Sequence, residues 1–566
     1  MHATRPTLYG TRHAVSAGHY LAAAAGFAVL EAGGNAIDAG CAMGIALGVT
    51  LPDFVNVAGV APILIRKADG TVETIAGLGH WPRSIPADLF MREHGGRIPN
   101  GVLRTVVPAA PDAWITALER HGTMSFGEVA GAAIRYARDG FAVYGILANN
   151  IREHEADYAR YPGSAPIFLP GGRRPEVGEK FVQADLARTL QYMVDEEAKA
   201  AGKGRLAGLA AAHAAFYRGD IAREIAAFMA REGGYLTMAD LAGYRSKLEP
   251  AVRRMWRGHE VITCGPWCQG PALIEALLLL ERAGLDGLAH NSPEYLHLLT
   301  ECVKGAMADR EYHFGDPAFV DVPLERLLSD VHLDARLRGI SRERAHPGMP
   351  GPILGSVPAL PGEADRALPM VEADTSYCCA VDRWGNAFSA TPSDGSFNSG
   401  VVPGLGIIPS PRGSQSRPDP RHPCGVAPGK RPRLTPNPAM VVTRDGGVMP
   451  FGTPGGDVQI QAMLQVMLNV LHFGMEVQEA IEAPRVASYS FPSSFAPFDY
   501  FPGRLAVEAR VPQATRDRLA AQGHDVKDWP ERTWLAGTVE MVMTEPRRGM
   551  LAAGADPRRP AYAIAS

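Results

Sequence analysis

Thr375 is the first residue whose type and position suggest chemistry. It follows a segment rich in proline and glycine and precedes a short strand-like run, Tyr377–Val381. A threonine hydroxyl is a weak nucleophile unless a base lies beside it, and the residue's own free α-amine is one such base. The pKa of an α-amine, about 7.7–8.0, suits a general base near neutral pH. Cleavage between Asp374 and Thr375 would release that amine.

A basic, proline-rich loop is the second feature with chemical potential. Residues 403–438 contain ten prolines and a single acidic residue, Asp419. A loop of this length inside a globular chain is usually functional or disordered. Arginines in it could bind a carboxylate, but a solvated basic loop is an equally open interpretation. Its basic residues are Arg412, Arg417, Arg421, Lys430, Arg431 and Arg433.

The elements that must position these residues change character along the chain. Residues 19–51 read as two helices separated by Gly33-Gly34, with Asn35 as a cap. Residues 110–345 are predicted to be mostly helical, and an exposed linker is predicted at 350–369. Hairpin strands and helices then alternate to the C-terminus, which predicts an α+β fold with much antiparallel sheet. Hairpins are predicted at 61–76, 377–391 and 438–452.

Many short segments, in one order along most of the chain, resemble the γ-glutamyltranspeptidase family. Each segment is weakly specific alone, but a chance match of all of them in order is improbable. In that family a threonine seven residues before the Asp of a V-D-x-x-G-N turn is the nucleophile, and the match falls on Thr375. The matching segments are Glu31–Ala39, Val49–Pro52, Phe216–Gly219, Asp240–Leu241, Ala308–Arg310, Gly315–Pro317, Asp374–Ala387, Pro428–Pro432, Gly452–Gly456, Ala483–Arg485 and Gly554–Arg558.

The resemblance implies an N-terminal-nucleophile hydrolase fold, a four-layer αββα sandwich. It implies that one precursor cleaves itself into chains 1–374 and 375–566, which stay together as one globular heterodimer. The family's G-x-P-G-G motif is similar to Gly452–Gly456 and implies an oxyanion hole at Gly455 and Gly456. Adjacent glycines suit that role because the backbone can approach the oxyanion closely with two preorganised N–H donors.

Several positions that hold the substrate in the family differ in this sequence. Ser393 replaces a second threonine that hydrogen-bonds the nucleophile's amine, and it keeps the hydroxyl. Thr435 matches one of two carboxylate-binding serines, and the Asp that binds the glutamyl α-amine falls near Gln415. The family's carboxylate-binding arginine has no clean match, so Arg83 and Arg412 are both candidates. This pattern resembles the transpeptidase-like amidohydrolases and acylases, and the arginine-rich loop favours an anionic acyl group.

Composition excludes several other classes of protein. The net charge of −4 and the 20% of charged residues give no indication of a nucleic-acid or membrane partner. We expect a cytoplasmic protein because residues 1–21 lack the pattern of a secretory signal. The seven cysteines are irregularly spaced, which predicts reduced, buried thiols. The histidines show no paired helical spacing, so neither a catalytic metal nor another cofactor is expected.

Three functions follow from these observations. The first is an amidohydrolase that cleaves an amide of a small, carboxylate-bearing acyl donor through a threonyl acyl-enzyme. The second is a genuine γ-glutamyltransferase or glutathione hydrolase. The third is an uncleaved pseudoenzyme that only binds its ligand. The expected partners are a small-molecule amide and the chain's own two fragments, with a homodimer of processed units as a further expectation.

Overall fold

A computed structural model describes residues 3–355 and 375–566. Asp374, the proposed upstream side of the cleavage site, and most of the predicted linker at 350–369 lie outside the described residues.

The strands of the described residues are short and spread over both predicted chains. In chain order they are β1 (Leu8–Gly10), β2 (Ala14–Ala17), β3 (Ile63–Arg66), β4 (Val72–Ile75), β5 (Phe141–Ala142), β6 (Lys180–Phe181), β7 (Leu248–Glu249), β8 (Val252–Trp256), β9 (His259–Thr263), β10 (Cys378–Val381), β11 (Ala387–Ala390), β12 (Ala439–Val442), β13 (Val448–Gly452), β14 (Val486–Ser488), β15 (Arg504–Glu508), β16 (Asp525–Trp529), β17 (Glu540–Glu545), β18 (Met550–Ala555) and β19 (Tyr562–Ala565).

The helices lie mainly in the first three hundred and forty residues. In chain order they are α1 (Tyr20–Glu31), α2 (Ala36–Thr50), α3 (Leu89–Glu93), α4 (Ala110–His121), α5 (Phe126–Asp139), α6 (Gly145–Glu153), α7 (Glu155–Arg160), α8 (Ala165–Phe168), α9 (Ala184–Ala200), α10 (Arg205–Tyr217), α11 (Asp220–Arg231), α12 (Met238–Ala242), α13 (Gly270–Arg282), α14 (Pro293–His313), α15 (Leu324–Leu327), α16 (Asp330–Leu337), α17 (Gln459–Leu471), α18 (Val477–Glu482) and α19 (Gln513–Ala521).

Two seven-stranded sheets form the centre of the molecule. One has the strand order β1-β18-β17-β13-β12-β9-β8, and the other has the order β19-β2-β10-β11-β3-β4-β7. The strand pairs within both sheets are antiparallel. Strands from both sides of Thr375 contribute to each sheet, so the two predicted chains share one structure.

Helices cover the outer face of each sheet. Helices α1 and α2 pack on the sheet that contains β10, and α13, α17 and α18 pack on the sheet that contains β13. A small apolar cluster, which includes Tyr377, Met440 and Val542, lies between the sheets. Larger clusters fill the two helix–sheet interfaces. The order of layers is helix, sheet, sheet, helix, so the predicted αββα sandwich is confirmed.

Local sequence signals predicted several elements correctly. Helix α2 is buried along its whole length and starts with a capping box formed by Asn35 and Asp38, as the cap prediction required. All three predicted hairpins are present, as β3–β4, β10–β11 and β12–β13. The seven cysteines are free and buried, which confirms the thiol prediction.

The prediction that residues 110–345 are mostly helical was right in outline but incomplete. It missed the hairpin β8–β9, which forms one edge of a central sheet. The hairpin turns at Arg257 and Gly258, whose φ angles are 48° and 79°. Two consecutive positive φ angles are typical of the tight turns that connect antiparallel strands. The run of β-branched residues Val261-Ile262-Thr263, close to this Arg-Gly pair, was the signal that could have identified it.

Candidate active site

Thr375 lies just before the central strand β10, with its main chain held at both ends. Its N–H donates to the Phe54 carbonyl at 2.7 Å. Its own carbonyl accepts from Arg559 Nη1 at 2.9 Å, and the Arg559 guanidinium stacks 3.9 Å above the Phe54 ring centroid. Thr375 is fully buried and has φ = 111°, which a side chain rarely adopts. Such strain persists only where surrounding contacts fix the backbone.

The hydroxyl of Thr375 forms a hydrogen bond with the hydroxyl of Ser393, with 2.7 Å between Oγ1 and Oγ. The sequence resemblance implied a contact with the nucleophile's amine. In this uncut chain the nitrogen is still an amide and donates to Phe54, so Ser393 meets the hydroxyl instead. Ser393 also accepts from Arg412 Nη2 at 2.6 Å. Thr375, Ser393 and Arg412 therefore form one buried chain of polar groups.

Asp394 neutralises Arg412 within this buried cluster. Arg412 Nε donates to Asp394 Oδ1 at 2.6 Å, and Ser410 Oγ donates to Oδ2. Asp394 and Arg412 are 0% and 1% exposed, so the pair is desolvated. Asp394 has φ = 113°, a conformation that turns its carboxylate back toward Arg412 directly after Ser393. A buried ion pair is maintained by such close hydrogen bonds, because either partner alone would be strongly destabilising.

The glycine segment after β13 adopts a conformation suited to presenting backbone N–H groups. Gly455 and Gly456 have φ angles of 119° and 57°. Among the described residues, neither of their N–H groups donates to a protein acceptor. A Cβ on Gly452 would lie 2.4 Å from the Tyr377 ring, so only glycine lets this segment lie against the chain that leaves Thr375. Two neighbouring backbone donors of this kind suit the oxyanion hole that the resemblance implied.

Phe495 connects the glycine segment to Arg412. Its ring centroid lies 5.6 Å from the Arg412 guanidinium carbon. A Cβ on Gly456 would approach the same ring to 3.2 Å. Gly456 and Arg412, one residue from each predicted group, thus both lie beside the same aromatic ring.

Thr435 takes part in a network that holds the glycine segment. Gln269 Nε2 donates to both the Thr435 carbonyl, at 2.8 Å, and the Gly456 carbonyl, at 2.9 Å. Gln415 Nε2 donates to Thr435 Oγ1 at 2.8 Å, and its Oε1 accepts from the Thr435 N–H. These contacts fix the backbone of Gly456 through its carbonyl while leaving its N–H available.

The basic loop is not solvated, so that interpretation was wrong. Arg417 and Arg433 both pair with the buried carboxylate of Glu311, and Arg431 pairs with Asp316 and Glu249. Burial disfavours ionisation of Glu311, but the charges of Arg417 and Arg433 outweigh it and hold the Glu311 pKa well below its usual range. Of the lysines and arginines in the loop, the Arg421 side chain is 86% exposed, and those that are 6% exposed or less are Arg412, Arg417, Lys430, Arg431 and Arg433.

Arg83 lies apart from this polar chain, at the surface. Its side chain is 59% exposed, and its Nη1 is 3.8 Å from Asp240 Oδ1. Two residues earlier, the ring of Trp81 fills the space beside Gly413, the residue that follows Arg412. The segment that carries Arg83 therefore borders the loop that carries Arg412, although the two guanidinium groups have different partners.

Sequence reasoning missed four residues that hold this site together: Phe54, Asp394, Gln269 and Arg559. Asp394 was the easiest to find, because a lone carboxylate beside Ser393 faces an arginine-rich loop. The others come from distant parts of the sequence, and only the fold brings them to Thr375 and Gly456.

Two buried clusters in the described residues have enough donor atoms for a metal ion, namely His297–Glu301–His524 and Glu275–Asp309–His332. Each already contains a cationic side chain: Lys304 donates to Glu301, and Arg336 donates to Asp309. A metal ion would have to compete with these cations.

No helix in the described ranges is long and apolar enough to cross a membrane.

Comparison with known proteins places this geometry among amide hydrolases. The family profile described as "Gamma-glutamyltranspeptidase" matches residues 22–566. "Acylase ACY 1 proenzyme" of Pseudomonas sp. (strain V22) is 33% identical over 550 residues, covering 95% of this chain and 90% of that protein. "Glutathione hydrolase-like YwrD proenzyme" of Bacillus subtilis (strain 168) is 30% identical over 562 residues, covering 99% of each chain.

A solved structure extends the likeness to three dimensions. The crystal structure of cephalosporin acylase from Bacillus halodurans superposes with a TM-score of 0.85 and 29% identity. It covers 100% of this chain, which covers 98% of that one. The likeness therefore includes the whole four-layer fold.

Proposed function

Because this chain belongs to the γ-glutamyltranspeptidase family, we propose that it is a self-processing amide hydrolase with Thr375 as its nucleophile. The observation that carries the proposal is the buried contact between Thr375 Oγ1 and Ser393 Oγ at the start of a central strand. The names of both relatives include the word proenzyme, which supports processing of this chain as well.

Maturation begins with attack of Thr375 Oγ1 on the carbonyl carbon of Asp374. The C–N bond of the Asp374–Thr375 peptide breaks as an ester to Oγ1 forms, and the nitrogen takes up a proton. Water then hydrolyses the ester, which leaves a carboxylate on Asp374 and a free amine on Thr375. The Phe54 carbonyl, which accepts from this nitrogen at 2.7 Å, keeps one N–H oriented and so directs the amine's lone pair.

In the mature enzyme the Thr375 amine accepts the hydroxyl proton as Oγ1 attacks the substrate amide. The N–H groups of Gly455 and Gly456 stabilise the oxyanion of the tetrahedral intermediate. The amine returns the proton to the leaving group, and the acyl group remains on Oγ1. Water or an acceptor amine then releases it.

For the acyl donor we propose a carboxylate-bearing group without the α-ammonium of a γ-glutamyl group. Gln415 takes the place of the family's amine-binding Asp, and its neutral amide offers no negative charge to an ammonium group. Both ends of that amide are already hydrogen-bonded to Thr435. Arg412 is neutralised by Asp394. Arg83 has a carboxylate neighbour too, but Asp240 is 3.8 Å away and the Arg83 side chain is 59% exposed, so Arg83 is the candidate for contacting the substrate carboxylate.

The test of the nucleophile is a denaturing gel with intact mass on freshly purified protein. We expect two fragments, with the smaller starting at Thr375, and no cleavage or turnover for Thr375→Ala. Thr375→Ser keeps a hydroxyl and is the matched control, which should still be processed. Persistent processing of Thr375→Ala at the same bond would overturn the assignment, and an intact wild-type chain would favour a binding protein.

The test of the acyl donor is a set of anilides that share one leaving group. Glutaryl anilide carries the carboxylate alone, γ-glutamyl anilide adds the α-ammonium, and butyryl anilide carries neither charge. The proposal predicts the highest kcat/KM for the glutaryl compound. A preference for γ-glutamyl anilide would instead identify a glutathione hydrolase, and activity on the neutral amide alone would refute an anionic donor.

A further inference from the structure

We infer that Arg412 and Asp394 act as positioning residues that fix the direction of the hydrogen bond between Ser393 and Thr375. The inference rests on the proposed function, since it assigns roles around the proposed nucleophile. It gives Arg412 a task other than binding the substrate carboxylate, which is the role that sequence resemblance suggested for it.

The direction follows from counting protons on Ser393. A serine hydroxyl has one proton to donate and two lone pairs that accept. Arg412 can only donate, and its Nη2 occupies one lone pair at 2.6 Å. Ser393 is fully buried, and the only other side-chain partner of its Oγ within the described ranges is Thr375 Oγ1 at 2.7 Å. A buried hydroxyl proton is normally satisfied, so Ser393 donates to Thr375.

This direction prepares Thr375 for attack. Because Ser393 donates to Oγ1, the proton of Thr375 must point away from Ser393 and is available to the amine after processing. The Arg412 charge polarises the Ser393 hydroxyl and makes it a stronger donor to the oxygen that becomes negative. Asp394 holds Arg412 through Nε and Nη2, so the guanidinium cannot turn away from Ser393.

The same arrangement places two opposite charges near the future amine. The positive charge of Arg412 disfavours the ammonium form of Thr375, and the negative charge of Asp394 favours it. Within residues 3–355 and 375–566, further charged or titratable groups around Thr375 include Arg559, on its carbonyl, and the buried carboxyls of Asp53 and Glu540, which interact with Arg559. Removing Arg412 or Asp394 should therefore shift the pH at which the amine becomes a base, in opposite directions.

The experiment compares pH profiles of kcat for Arg412→Gln, Arg412→Lys and Asp394→Asn, with processing checked on the same samples. Arg412→Gln should lower kcat about 10²-fold with little change in KM and move the acidic limb up by about 1 pH unit. Asp394→Asn should move that limb down, because the ammonium loses a counter-charge. Arg412→Lys keeps the charge and should keep the limb within a few tenths of a unit of wild type.

Matched measurements separate this role from a structural one. Arg433→Gln removes an equally buried, salt-bridged arginine of the same loop, which pairs with Glu311 instead. It should lower the thermal midpoint without moving the limb. The inference would be overturned if the acidic limb of the kcat profile stayed in place in both Arg412→Gln and Asp394→Asn, or moved in the same direction in both. If Arg412→Gln is not processed, Asp394→Asn decides the question; failure of wild-type processing would count against the proposed function instead.

Discussion

Replacing Gly455 with alanine tests whether the glycine segment after β13 stabilises the oxyanion. Gly455 has φ = 119°, and a Cβ there would meet Val458 and Gly537 only at 3.5 and 3.7 Å, which is ordinary contact. The substitution therefore strains the backbone without a steric clash. Strain of this kind costs about 1–3 kcal/mol, which the chain relieves by rotating the peptide groups of Gly455 and Gly456.

The expected loss of stability is small for a chain of this size. An unfolding entropy of about 2.1 cal/mol/K per residue gives about 1.2 kcal/mol/K for 566 residues. A strain of about 1–3 kcal/mol then lowers the thermal midpoint by only about 1–3 °C. Loss of aligned oxyanion donors, by contrast, reduces kcat by roughly 10²–10³-fold. Stability and catalysis should thus respond on very different scales.

Gly446 provides the matched control. It has φ = 85°, lies in the exposed turn at the other end of β13, and an added Cβ would meet nothing within 4 Å. Gly446→Ala should lose similar stability and keep its activity. The assay is kcat on the preferred anilide, with the thermal midpoint and the fraction of processed chain measured in parallel. Equal kcat values for the two variants, at equal processing, would refute the oxyanion role of this segment.

Two further predictions concern charge. Arg83→Ala should raise KM for glutaryl anilide at least several-fold and leave KM for butyryl anilide unchanged, because only the glutaryl compound has a carboxylate for the exposed guanidinium. Equal effects on the two compounds would show that Arg83 does not bind the substrate carboxylate. Burial opposes ionisation of Cys424, but the charges of Arg433 and His422 outweigh it and lower its pKa to about 6. The thiolate's stabilising contribution is therefore full above the ordinary thiol pKa of about 8.5, decreases as the pH falls, and is lost as the pH passes through about 6. The thiolate ultraviolet absorbance of the wild type minus that of Cys424→Ser should titrate there, and a difference that appears only near pH 9 would contradict this.

The parts of the fold that sequence predicted are those governed by local rules. Asn35 caps helix α2 as expected, because a side-chain acceptor followed by a helical run is a local signal. The hairpin β12–β13 was predicted because Asp445-Gly446 is a recognisable turn. The missed hairpin β8–β9 turns on Arg257-Gly258, a less typical pair inside a long helical segment.

The candidate site was predictable where it repeats a motif and unpredictable where it depends on tertiary contacts. The resemblance is what pointed to Thr375, Ser393 and the two glycines as site residues. The partners of Arg412 could not be predicted, since hydrophobic and charge patterns do not say which carboxylate contacts which arginine. Composition suggested a solvated loop, yet the structure buries Arg412, Arg417, Arg431 and Arg433 in specific pairs.

Burying so many charges in one loop has a consequence for catalysis. Each ion must recover its lost hydration from fixed partners, and two arginines that share Glu311 do so only in one geometry. Such a loop is rigid, and it carries Arg412 as part of the same framework. The hydroxyl of Ser393 therefore meets a donor whose position is set before the substrate arrives. Preorganised polar groups of this kind favour a transition state because they need no rearrangement when charge develops on the nucleophile, which we propose to be Thr375.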